Sequence, residues 1–113
     1  MIQIYHNSRC RKSRECLSFL EDSGQEYEIV KYRDTILSFD ALKLIIKKLN
    51  LKPIELVRRK ENIWIENFKD KVLTDNEIIL AMISNPILIN RPIVVNEEKA
   101  VIARPLEKII GIL

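Results

Sequence analysis

Ile2-Gln3-Ile4-Tyr5-His6-Asn7-Ser8-Arg9-Cys10-Arg11-Lys12-Ser13-Arg14 runs from a short apolar segment through a polar turn into an amphipathic stretch. It predicts a strand over residues 2–5 and a turn over 8–12 that enters a helix reaching about Ser23. Cys10 sits in that turn among cations. Arg9, Arg11, Lys12, Arg14 and His6 all lie within four positions of it, and the first carboxylate is Glu15. A free thiol titrates at roughly 8.5, and both a helix N-terminus and nearby positive charge lower that value because they stabilise the thiolate. The same donors suit an oxyanion. A basic stretch beside a small packed cysteine is also what an ordinary solvated face looks like, so the turn must be weighed with the rest of the chain.

Outward from the turn, Gly24 is placed to end the first helix in a left-handed cap, and Tyr27 and Ile29 alternate with polar residues in a strand over 26–31. Ser38 caps a helix with apolar positions Leu42, Ile45, Ile46 and Leu49 at helical spacing, and Pro53 opens a further short turn of helix. A short helix over 62–68 carries Trp64 and Phe68. Thr74 and Glu77 form a capping box ahead of Ile78, Ile79, Met82 and Ile83, with Pro86 beyond the end of that helix. Ile93-Val94-Val95 and Ala100-Val101-Ile102 flank a polar turn as a β-hairpin, and Pro105 opens a C-terminal helix. The fold class is therefore α/β, with the order β-α-β…β-β-α and a helical insertion between the two halves. A cysteine at the first strand-to-helix turn and a proline entering the third strand make that order thioredoxin-like, with Arg91-Pro92 a candidate cis peptide.

At 113 residues and 47% hydrophobic content, the chain is expected to be one domain over 1–113, its insertion at about 38–85. Nineteen basic residues are interspersed with sixteen acidic ones, and a net charge of +3 so scattered does not announce direct binding to nucleic acid. No apolar stretch approaches the length of a membrane span, and the N-terminus lacks the charged and apolar regions of a signal peptide. A soluble, cytoplasmic protein is expected, in which two cysteines stay reduced.

The chain resembles the glutaredoxin-coupled arsenate reductases, a family that shares its scaffold with the Spx regulators. The resemblance rests on Ile4-Tyr5-His6-Asn7 leading to Cys10 and Ser13-Arg14, on Leu56-Val57-Arg58, on Pro86-Ile87-Leu88-Ile89-Asn90-Arg91-Pro92-Ile93-Val94-Val95 and on Ala103-Arg104-Pro105. It implies that Cys10 is the nucleophile that attacks arsenic and that Arg58, Arg91 and Arg104 bind the oxyanion. Glutathione would be the reductant, glutaredoxin would clear the glutathione, and no cofactor or metal would be bound. The residues agree with that chemistry in their own right. Arsenate repels a thiolate, and arginine neutralises it with forked donors while never losing its proton.

His6 is placed to support the thiolate or simply to pack, and Ser13 to donate its hydroxyl to the sulfur or to cap the helix. Arg11, Lys12 and Arg14 supply further positive charge, and Pro92 completes the motif ahead of the third strand. Arg59 is the alternative to Arg58, since the two are adjacent. In most of the family a proline and a glycine flank the cysteine, and here Ser8 and Arg11 stand in their places. Cys16 lies six residues along a helix from Cys10, a rotation of about 240° and a rise of roughly 9 Å, which places it on the face of Leu17, Phe19 and Leu20 as a packing cysteine, the alternative being a resolving thiol reached by unwinding the first helical turn. Metal binding by His6, Cys10 and Cys16 fits no common ligand spacing. Two other readings remain open: a glutathione-dependent thiol reductase with a different substrate, and an Spx-like redox-sensing regulator that binds RNA polymerase. Against the second, position 13 is serine where a paired Cys-x-x-Cys would need a thiol. A monomer is expected.

Overall fold

The computed structural model describes residues 2–5, 11–31, 37–104 and 106–113. The chain divides into two compact units, one formed by Met1–Thr35 with Arg91–Leu113 and the other by Ile36–Asn90. Among the described residues no helix is long and apolar enough to cross a membrane.

The first unit carries a four-stranded sheet. Its strands are β1 (Ile2–Tyr5), β2 (Tyr27–Val30), β3 (Ile93–Asn96) and β4 (Lys99–Ile102), in the order β2-β1-β3-β4. β1 and β2 run parallel, with Ile4 opposite Ile29, and the helix α1 (Arg11–Asp22) supplies the crossover that parallel neighbours require. Gly24 at φ 74 follows that helix in the left-handed region, where a Cβ would be strained. β3 is antiparallel to both its neighbours: Tyr5 faces Ile93, and Ile93 in turn faces Ile102. The hairpin closes through Glu97–Glu98, with Glu97 at φ 55 meeting the turn's demand for a left-handed residue.

Ile2 and Ile4 alternate onto one face of the sheet, where Cys16 and Leu20 of α1, Val94 of β3, Ala103, Ile109 and Ile112 complete a buried cluster. The segment after β4 departs from expectation. Leu106–Ile112 is a 3₁₀ helix rather than an α-helix. Its buried residues Ile109 and Ile112 stand three apart, one 3₁₀ turn, so both face the sheet cluster. The Asn96 side-chain amide donates to the Ile112 carbonyl and holds the segment's end. Pro105, expected to open it, lies outside the described residues.

The second unit is helical: α2 (Phe39–Leu49), α3 (Pro53–Leu56), α4 (Asn62–Asn67) and α5 (Asp75–Ser84), then a 3₁₀ turn over Pro86–Leu88. Ser38 and the Thr74–Glu77 box begin α2 and α5 as the sequence suggests, and Asn50, which the sequence reading does not single out, ends α2. Ser38 Oγ accepts the Ala41 N–H at 3.1 Å, and Asn50 adopts φ 57, ψ 42 beyond the end of α2. Thr74 and Glu77 satisfy each other's backbone donors at 3.2 and 2.9 Å. Leu42, Leu56, Met82 and Leu88 are fully buried, and α5 packs against α2, α3 and the 3₁₀ turn. A single bridge between Val57 and Ile89 ties the loop after α3 to the unit's last residues.

Candidate active site

The sheet register decides which side chains meet. Tyr5, Ile93 and Ile102 form one row across β1, β3 and β4. At that row β1 leaves the sheet, β3 enters it and β4 leaves it. Continuing the hairpin register two residues beyond Ile93 and Ile102 brings Arg91 opposite Arg104. The contact is direct. Arg104 Nε donates to the Arg91 carbonyl at 2.6 Å, and the Ala103 N–H donates to the Pro92 carbonyl at 2.9 Å. The Arg91-Pro92 peptide is cis, as the sequence suggests. Pro92 is buried, and Arg91 Nε and Nη1 are shielded from solvent. One arginine's backbone thus orients the other's guanidinium, a charge-assisted bond that fixes the plane of a forked donor.

Ser13 is the third residue of α1, and its side chain is fully buried. Its Oγ has no hydrogen-bond partner among the described residues. An unsatisfied buried hydroxyl costs about 1–3 kcal/mol, so a capping serine of ordinary kind would not be left this way. His6 and Cys10 lie outside the described residues.

The neighbouring cations have partners that the sequence reading passed over. Arg11 Nε lies 3.2 Å and Lys12 Nζ 3.7 Å from the carboxylate of Glu15, both at the exposed surface. Spacings of four and three residues on a helix predict such pairs, worth a few tenths of a kcal/mol each in solvent. Arg58, in the helical unit, donates its backbone N–H to the Leu88 carbonyl at 2.7 Å and sets Nη1 3.3 Å from Glu61 Oε1. Arg59 points elsewhere within the same unit, into a cavity shared with Lys60 and Trp64. Glu15 and Glu61 are therefore additions to the candidate set, as carboxylates that hold expected site cations.

Cys16 is fully buried against Ile2, Ile4, Leu20 and Val94. Burial pushes its thiol from an ordinary 9.0 up to about 12, so it stays protonated and unreactive at neutral pH. The unfolded chain would release this proton near 9, whereas the folded chain keeps it to about 12. Stability from this group is thus complete below pH 9 and falls as pH rises from 9 to about 12. Denaturant unfolding across that interval, set against Cys16→Ala, should show the wild-type chain losing stability faster with pH than the variant.

A sheet ordered β2-β1-β3-β4, with a helix crossing between its parallel pair and a hairpin completing it, defines a thioredoxin-like α/β protein. The model of the ArsC family matches residues 5–112, and this chain belongs to the ArsC family. It is 42% identical to the arsenate reductase of Neisseria meningitidis serogroup A over 114 residues, covering 99% of this chain and 97% of that protein. It is also 42% identical to Escherichia coli YfgD over 99% of this chain and 96% of that protein. The solved arsenate reductase from Vibrio cholerae superposes with a TM-score of 0.93 at 39% identity, covering 99% of this chain and 97% of that one.

Proposed function

We propose that this protein reduces arsenate to arsenite, with Cys10 as nucleophile and glutathione as the source of electrons. The observation that carries the reading is end-to-end similarity to the meningococcal arsenate reductase. The paired arginines support it. Arsenate is a tetrahedral anion whose charge repels a thiolate, and Arg91 and Arg104 supply permanent positive charge, with the fork of Arg104 oriented by the Arg91 carbonyl. Cys10 is the fifth residue after Tyr5, whose row is the one beyond which both arginines lie.

In this mechanism the Cys10 thiolate attacks arsenic, an As–S bond forms, and an arsenic-bound oxygen leaves as water. A glutathione thiol then displaces a second arsenic-bound oxygen as water, and the glutaredoxin thiolate attacks the glutathione sulfur, so that a glutathione–glutaredoxin disulfide forms while the two electrons of the arsenic–glutathione bond stay on arsenic. Hydrolysis of the Cys10–As bond returns the Cys10 thiol and releases arsenite. The Ser13 hydroxyl, buried and without a partner among the described residues, is assigned as a donor to the Cys10 sulfur, where it stabilises the thiolate. His6 is assigned to the same thiolate as a hydrogen-bond donor.

The test is purified protein supplied with arsenate, glutathione and glutaredoxin, with turnover followed through NADPH consumption by glutathione reductase. Arsenite should form, and the rate should collapse when either thiol component is withheld. Turnover of glutathionylated disulfides with no reduction of arsenate would instead establish a thiol reductase of other substrate.

A further inference from the structure

The helical unit holds a second site with a different chemistry. A cavity of ≈ 850 Å³ lies among α3, α4, α5 and the loop between α4 and α5. This is a volume typical of small-molecule sites. Its apolar lining comes from Ile54, Leu73, Ile78 and the aromatic pair Trp64 and Phe68, whose rings stack with centroids 5.4 Å apart. Arg59, Lys60, Lys69 and Lys71 also line it, against the single carboxylate of Asp75. All four cations are exposed, and none of them forms an ion pair among the described residues. Asp75 lies in the first turn of α5, where its charge already answers the helix N-terminus.

We infer that this cavity binds a small planar aromatic carboxylate, its ring against Trp64 and Phe68 and its charge toward the lysines and Arg59. Flat rings pack on aromatic pairs in offset or edge-on geometry. A neutral apolar molecule would use the floor alone and leave four unneutralised cations around it, whereas an anion satisfies both surfaces. The concentration of one sign of charge at the mouth of an apolar cleft also raises the local concentration of anions. The site is composed wholly of residues from the helical unit and involves neither Cys10 nor the paired arginines, so it stands or falls apart from arsenate reduction.

Trp64 is the chain's only tryptophan, so its indole N–H gives one isolated resonance in the full-length protein. Titration with 2-naphthoate should shift that resonance to saturation, and 2-naphthamide, the neutral isostere, should bind about tenfold more weakly. Raising the salt should weaken naphthoate and leave the amide unchanged. Lys60→Glu combined with Lys69→Glu alters two exposed side chains without removing an ion pair, and should cost naphthoate about tenfold while sparing the amide. Equal affinity for the two probes, indifference of naphthoate to the double variant, or no movement of the Trp64 resonance at millimolar naphthoate would each overturn the inference.

Discussion

Replacing Cys10 with serine is expected to remove arsenate reduction, with turnover falling by about 10³-fold or more. The reason lies in the nucleophile. Helix N-termini and nearby cations favour the thiolate, the form that attacks, whereas a serine hydroxyl in the same place offers no comparable nucleophile. The loss should appear in kcat, because the arginines proposed to bind the anion are untouched. Circular dichroism and thermal unfolding of the Cys10→Ser variant should match the parent, since the change removes reactivity and adds no bulk. Arsenate turnover retained in full would reassign the nucleophile. Cys16 would be a poor heir, given its burial and a thiol held at about 12.

Arg104→Lys should lower kcat/KM for arsenate by about 10- to 100-fold even though the charge is kept. Lysine has neither the Nε–H that reaches the Arg91 carbonyl at 2.6 Å nor a planar fork to set against paired oxygens. Arg104→Ala, which removes the charge as well, should cost about 10²- to 10³-fold. A lysine variant as active as the parent would mean that charge alone matters at this position. Loss of the donor to a part-buried carbonyl should also reduce stability by about 1–2 kcal/mol, which denaturant unfolding can separate from the kinetic effect.

Much of the fold is legible locally. Ser38, the Thr74–Glu77 pair, Gly24 and the Glu97–Glu98 turn act through contacts a few residues apart, and each stands in the structure where the sequence suggests. The pairing of Glu15 with Arg11 and Lys12 is readable from helical spacing, whereas Arg58 and Glu61 pair across the turn between α3 and α4. The C-terminal segment shows where local reading fails. Pro105 and the apolar residues after it suit an α-helix as well as a 3₁₀ helix, and Ile109 and Ile112 share one face in either, so their pattern does not tell the two apart.

The sequence by itself determined the order of elements, the helix boundaries and the cysteine whose surroundings suit a thiolate. These follow from residues close enough along the chain to contact one another in any compact state. Only the tertiary structure decided that β1 lies between β2 and β3, and hence that Tyr5, Ile93 and Ile102 share a row. The hairpin places Arg91 beside Arg104, but the pairing of β1 with β3 joins residues some ninety positions apart. No local rule selects such a partner. It is chosen by which arrangement buries Ile2, Ile4, Cys16 and Val94 together, and that choice brings the arginine pair to the end of the sheet where β1 leads toward Cys10.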